Sequence, residues 1–427
     1  MRLRKLAVST VSALLATSAA HAQFPQYINP GSGALTKPDE RATVEKGMGD
    51  ALWRLGGLRI QPVLGVRDIG YVSNINGTPG KAVDDFTATG VIGLKAYLPI
   101  GKKVILAGHF LPEYVWWLDT KALETWQYRY GAGLFGYFNR LTMAAKFTAE
   151  DQQQYVSNEI DTPANVTNDK VQLDFAVRVS GAISIFFGGS QDTSEYDDNG
   201  LGRFFPSAVE NLDRRESVVR GGVSYERANG FQVGLGYESA KTDFTHTSRD
   251  RSNSGGGPIL IIHHNGSRWT ADGDVAYRRL KQQDGALFHE FESFSGHARL
   301  GLRVGARTHV DVYGSEGLFY TLLNGTDYAD EQRLGISGTI QLGWRTDLRA
   351  YYEFGEATYR SSIDVLDERR IDDFDTAGIE AQFRLGESAT IRLGYNHTVF
   401  DSNFNVFDRK LDNIQFSLNF GGIGNAW

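Results

Sequence analysis

The stretch Gln172-Leu173-Asp174-Phe175-Ala176-Val177-Arg178-Val179 changes character at every residue. Leu173, Phe175, Val177 and Val179 fall on one phase, and Gln172, Asp174, Ala176 and Arg178 on the other. A period of two is the repeat of a β-strand whose two faces meet different surroundings. The rhythm recurs along the chain. Phe231, Val233, Leu235 and Tyr237 oppose Gln232, Gly234, Gly236 and Glu238. Leu334, Ile336, Ile340 and Leu342 oppose Arg333, Ser337, Thr339 and Gln341. Near the end, Ile414, Phe416, Leu418 and Phe420 oppose Asn413, Gln415, Ser417 and Asn419.

From Leu58 onward such segments are joined alternately by short turns and longer polar loops. The turns fall at 99–102, 138–140, 180–181, 228–230, 265–266, 305–307, 343–345 and 386–388. The loops fall at 74–85, 118–124, 151–169, 192–215, 241–256, 281–286, 322–331, 360–372 and 402–409. Eight turns and nine loops separate eighteen strands; if residues 258–264 are loop, sixteen remain. An all-β, up-and-down antiparallel meander with turns on one side and loops on the other predicts a transmembrane β-barrel of the Gram-negative outer membrane. Lipid offers the backbone no hydrogen-bond partners, so a spanning sheet must close on itself. A secreted sandwich or propeller also alternates, but shows no such asymmetry of connections.

Composition agrees. Of 427 residues 49 are glycine, which disfavours a helix-rich fold, and none is cysteine, which excludes disulfide scaffolds, thiol catalysis and Cys-ligated zinc. Residues 1–22 read as an export signal: Arg2, Arg4 and Lys5, then a short apolar stretch, then Ala20-His21-Ala22. Its removal takes away three cations and no acid, moving the net charge from −7 to −10, a poor match for nucleic acid. The expected organisation is a signal peptide at 1–22, a short periplasmic segment at 23–56, and a barrel with a short C-terminal tail at 57–427. Residues 37–46 are charged and suggest a short periplasmic helix outside the barrel. Aromatic girdles are expected from Tyr114, Trp116, Trp117, Trp126, Tyr128 and Tyr130 near one loop, and from Phe135, Tyr137 and Phe138 near the next turn.

The segment 58–74, LRIQPVLGVRDIGYVSN, resembles the first strand of an outer-membrane β-barrel porin family whose members sit with exopolysaccharide and capsule export machinery. In that family the strand runs apolar-x-Pro-x-apolar-x-apolar and closes on an Asp/Asn signal; here Tyr71-Val72-Ser73-Asn74 stands in the closing position. The resemblance implies an eighteen-stranded exit channel for a secreted polysaccharide, partnered by a periplasmic polysaccharide export protein. A general or oligosaccharide uptake porin is the alternative, and a barrel-borne enzyme or adhesin a third class. The apolar ladder from Ile414 to Phe420 is similar to the C-terminal signal read by the barrel-assembly machinery, with seven residues following it.

If the apolar phase meets lipid, the polar phase lines a lumen. Arg178, Arg220, Asp272, Asp274, Arg299, Arg303, Asp311, Arg349, Glu380, Arg384 and Arg392 are the pore-lining candidates. Two readings stay open: opposite charges brace neighbouring strands, or the arginines form a rail that selects anions. Gly131, Gly133, Gly234, Gly236, Gly301, Gly335 and Gly394 share the polar phase and would keep the lumen wide. No G-x-S-x-G or H-E-x-x-H motif occurs, so neither an enzyme nor a cofactor is expected. His263 and His264 are adjacent, point to opposite faces and make a poor metal pair. Asp197-Asp198-Asn199-Gly200 lacks the spaced ligands of a calcium loop, and Asn265-Gly266-Ser267 reads as a hairpin turn.

Overall fold

A computed structural model describes residues 40–75, 83–155, 163–197, 209–227, 230–245, 250–322, 326–361, 369–386 and 389–421. The expected export signal, most of the long-loop tips and residues 422–427 lie outside them. One helix, α1 (Glu40–Asp50), and a three-residue strand, β1 (Trp53–Leu55), precede the barrel. The first half comprises β2 (Leu58–Val72), β3 (Asp85–Ile100), β4 (Val104–Trp117), β5 (Thr125–Tyr137), β6 (Leu141–Tyr155), β7 (Pro163–Arg178), β8 (Ile183–Asp197), β9 (Arg214–Glu226) and β10 (Phe231–Phe244). The second comprises β11 (Asn253–Asn265), β12 (Trp269–Gln282), β13 (Phe291–Val304), β14 (Thr308–Tyr320), β15 (Tyr328–Leu342), β16 (Thr346–Arg360), β17 (Ile371–Arg384), β18 (Ala389–Ser402) and β19 (Arg409–Phe420).

Strands β2 to β19 pair in sequence order, all antiparallel, and β19 returns to β2 with Asn413 opposite Val72 and Phe420 opposite Leu64. The sheet is therefore a closed barrel of eighteen strands, as the turn and loop alternation predicts, and β1 adds a short hairpin onto the start of β2. The strands run further into the loops than the alternation shows: β6 and β7 occupy much of 151–169, and β11 starts inside 241–256.

The segment 258–264, the weakest strand in the sequence, is part of β11. It is obscured there by Gly255-Gly256-Gly257-Pro258. The carbonyls of Arg279, Glu238 and Tyr277 occupy the places where β-carbons of these three glycines would stand, so only glycine allows β10 and β12 to approach so closely. At the short turns, Gly305 and Gly343 take φ of 74° and 76°, the left-handed region that glycine enters without steric cost.

The face assignment is clear in the exposures. Leu173, Phe175, Val177, Leu235, Tyr237, Leu300, Ile336, Ile340, Leu393, Ile414 and Leu418 all point outward and are exposed. An apolar belt on a closed sheet would be a large aggregation surface in water; in lipid each fully covered side chain contributes about 1.5–3 kcal/mol. No helix among the described residues is long and apolar enough to cross a membrane; the strands cross it. Of the expected girdle, Tyr114, Trp116, Trp126, Tyr128 and Tyr130 face out. Trp117, Phe135 and Tyr137 instead point into the lumen, where Trp117 packs with Val72, Ile75, Val115 and Leu123.

Helix α1 corrects a second expectation. It lies inside the barrel, not outside it: Val44 is fully buried against Tyr97, Ile105, Ala107, Phe135 and Ala144, all inward residues of β3 to β6. Glu40 ion-pairs with Lys146 of β6, and the Arg41 guanidinium lies 4.9 Å from the centre of the Tyr137 ring. Val44, with Met48 beside it, and two polar ties hold the helix against the wall at the turn end.

Candidate solute-binding lumen

Strand β2 carries the one break in phase on the lumenal wall next to the seam. Asp68 takes φ of 54°, and Arg67 and Gly70 face Thr89 and Thr87, so β2 spends an extra residue there. The bulge turns two consecutive side chains, Arg67 and Asp68, into the lumen, with Arg67 Nη1 2.6 Å from Asp68 Oδ2. Glu113 of β4 accepts from Arg67 on one oxygen and from Arg129 of β5 on the other.

At the loop end, residues fold back into the mouth. Val209 and Leu212, in a short turn before β9, are buried against Ala164 and Val166 of β7 on one side and Leu280, Phe288, Phe291, Tyr320 and Tyr328 on the other. Arg251 ties this plug together. Its Nη1 donates to the carbonyl oxygens of Thr321 (2.6 Å) and Asp327 (3.1 Å), and its Nη2 to that of Asn211 (2.7 Å). One guanidinium thus joins three loops.

The candidate residues all sit on lumen-facing positions, and most are paired. Arg178 meets Glu226 at 3.0 Å, Arg220 meets Asp174 at 3.5 Å, Arg299 meets Asp311 at 2.6 Å, and Arg349 meets Glu380 at 3.3 Å. Arg384 pairs with Asp347, and Arg392 donates to Gln382 at 3.5 Å. Arg303 makes no ion pair among the described residues. Arg299 and Arg349 are ion-paired and Arg303 is not, so these arginines do not form one uniform row.

Asp272 and Asp274, expected on the lumen wall, belong to a polar belt whose members His297 and His309 the sequence pattern did not single out. His263 Nδ1 lies 3.0 Å from Asp272 Oδ2; His297 reaches Asp272 at 3.3 Å and Asp274 at 2.7 Å. On β14, His309 Nε2 lies 2.8 Å from Asp311. The available signal was phase for two of them: His297 and His309 fall on the polar side of their strands, whereas His263 shares its phase with Ile259 and Ile261. Among the described residues no group of three or more ligand-type side chains is arranged to hold a metal.

Several interior glycines have a different use from widening the lumen. Tyr313 lies over Gly335, Tyr351 over Gly378 and Phe374 over Gly355, each ring covering the glycine directly opposite on the neighbouring strand. Phe186 of β8 does the same on a larger scale. Its ring edge lies 2.7 Å, 3.0 Å and 3.4 Å from the places where β-carbons of Gly222, Gly236 and Gly234 would be. The tip of the ring therefore rests where three glycines leave room for it.

Between this wall and α1 lies a cavity of about 770 Å³, within the ~300–1,000 Å³ of small-molecule sites. It reaches the turn-end rim, since Phe138, Asn139 and Arg140 border it. Five basic side chains border it (Arg41, Arg140, Lys146, Arg178 and Arg220) against three acidic ones (Glu40, Asp174 and Glu226). In a chain of net charge −7 the cavity is locally positive.

No protein-family model matches the chain, and no curated protein matches it. Its fold does match solved structures. Pseudomonas aeruginosa OccK2 (OpdF) superposes with a TM-score of 0.50 at 10% identity, over 84% of this chain and 97% of that one. Acinetobacter baumannii OccAB3 gives 0.48 at 10% identity over 84% and 98%, and P. aeruginosa OpdK, solved with vanillate, 0.47 at 12% over 84% and 98%. The chain therefore has the architecture of a porin-like outer-membrane β-barrel.

Proposed function

We propose that this chain is an outer-membrane porin for the passage of small polar solutes of oligosaccharide size. The observation that carries the reading is the form of the lumen: a water-facing, charged wall, narrowed by α1 at the turn end and by the Val209–Leu212 turn at the loop end. A cavity of about 770 Å³ remains beside the helix. A polymer exit requires an unobstructed bore, and these two inserts favour the uptake reading over polysaccharide export. The C-terminal ladder from Ile414 to Phe420 serves, in this proposal, as the signal for barrel assembly.

Liposome swelling with a graded series of sugars tests it. Purified protein should admit mono-, di- and trisaccharides at falling rates and exclude long dextrans. Equal entry of long dextrans would favour the export reading, and no entry of any sugar would reject a channel for these solutes.

A further inference from the structure

We propose that the turn-end rim from β12 to β16, which carries Arg268, Arg307 and Arg345, docks on the anionic headgroups of the phospholipid leaflet at that end of the barrel. The proposal rests on the barrel spanning the outer membrane and not on what crosses its lumen.

The rim has a repeating construction. The turns that lead into β4, β6, β12, β14 and β16 each end on a cation directly before the strand: Lys103, Arg140, Arg268, Arg307 and Arg345. In all five the carbonyl oxygen accepts from a backbone N–H of the next strand at 2.7 or 2.8 Å, so the five stand at one level around the barrel. Arg140 borders the lumenal cavity. The three on the arc from β12 to β16 are exposed, and none makes an ion pair among the described residues; the nearby Asp347 is taken by Arg384. Alternate strands stand roughly 10 Å apart, so the arc presents one unpaired charge at each such interval.

The level is that of lipid headgroups. Val304 and Leu342, both exposed on the lipid face, precede Arg307 and Arg345 by three residues each. At about 3.3 Å per strand residue the cations fall within the roughly 5–8 Å headgroup layer below the hydrocarbon. The three positions share the lumenal phase of their strands but lie past the strand ends, where a long stem is free to turn. Arg345 shows the direction taken: its guanidinium lies 3.9 Å from the centre of the Trp344 ring. Trp344 is 69% exposed and shares the phase of Ile340 and Leu342, which face lipid. Lys103 likewise lies 5.8 Å from the ring of Phe138. Trp269, 40% exposed, directly follows Arg268. Aromatic rings at the hydrocarbon edge with cations beside them match a membrane interface. At the loop end the same outward phase carries carboxylates instead, Glu316, Asp330 and Glu356, so the positive charge belongs to one leaflet only.

The test is native mass spectrometry of the full-length protein in detergent, titrated with mixed phosphatidylglycerol and phosphatidylcholine. The wild type should retain phosphatidylglycerol over phosphatidylcholine about fivefold, the ratio expected for one cation beside an anionic surface. Arg268→Gln, Arg307→Gln and Arg345→Gln combined should bring the ratio to about one. Arg279→Gln with Lys281→Gln, at the loop end, should leave it unchanged, and heat-modifiable migration on gels verifies that each variant folds. Equal retention of both lipids by the wild type, or an unchanged ratio in the triple variant, would overturn the docking surface. So would displacement of phosphatidylglycerol by soluble glycerol 3-phosphate at equal concentration, which would mark a free-phosphate site, or by an oligoglutamate peptide, which would assign the rim to an acidic soluble partner.

Discussion

Arg67 Nε lies 3.2 Å from Glu113 Oε2 across the width of β3, and Glu113 is 1% exposed. Because Arg129 takes the other carboxylate oxygen, this one acid bridges two arginines beside the seam where β19 meets β2, and Asp68 supplies the second negative charge on Arg67. Glu113→Ala leaves Arg67 with Asp68 but takes from Arg129 the carboxylate it donates to, a change that costs about 3–5 kcal/mol for breaking a buried ion pair. Urea unfolding of the micelle-folded barrel reads it; Glu113→Asp should retain much of the stability.

Leu235 is 64% exposed on the lipid face of β10, while its neighbour Gln232 points into the lumen. Leu235→Arg should cost about 2–4 kcal/mol of folding stability in a bilayer, and Gln232→Arg should be near neutral. Similar losses at both positions would contradict the face assignment.

Arg251 holds three loops by three carbonyl hydrogen bonds. Charge-assisted bonds of this type contribute about 1.5–3 kcal/mol each and are not additive, so Arg251→Ala should ease opening of the plug by about 3 kcal/mol. Hydrogen exchange at the amides near Leu212 and Asn253 should accelerate on the order of a hundredfold, with larger conductance fluctuations.

Val44 is the only fully buried side chain of α1. Val44→Asp places an unpaired charge against Tyr97 and Phe135, a site that favours only apolar groups. The helix should leave the wall, and single-channel conductance should rise. Unchanged conductance would mean that α1 does not narrow the ion path.

Arg303 stands without an ion-pair partner among the described residues, unlike Arg299 and Arg349. Arg303→Gln alone should shift the permeability ratio toward cations, because an uncompensated wall charge sets the local field. Arg303→Lys should keep the wild-type ratio.

These outcomes depend on features that the sequence shows unequally. Alternation at Leu173–Arg178 or Leu334–Leu342 follows from two unlike faces, so the facing of those strands is legible residue by residue, whereas the aromatic run 114–138 is not and three of its rings turn inward. The bulge at Asp68 is not, because one left-handed residue changes the phase and a period-two reading puts Arg67 and Asp68 on opposite sides. The place of α1 depends on Val44 and Met48, one ion pair and one cation–π contact made across more than 50 residues, which no local pattern carries. Phe186 was visible in principle: it stands on the phase of Ser184, but Ile185-Phe186-Phe187 reads as three apolar residues in a row and hides the alternation. The loop plug and the Arg251 tie are tertiary contacts between segments far apart in the chain.

The most direct measurement is single-channel recording of the purified, refolded protein in a planar bilayer. A lumen that remains open past α1 and the loop plug predicts discrete, ohmic current steps of one unit size, larger in Val44→Asp. A protein that inserts, shown by protease protection, yet gives no steps in either form would contradict the channel.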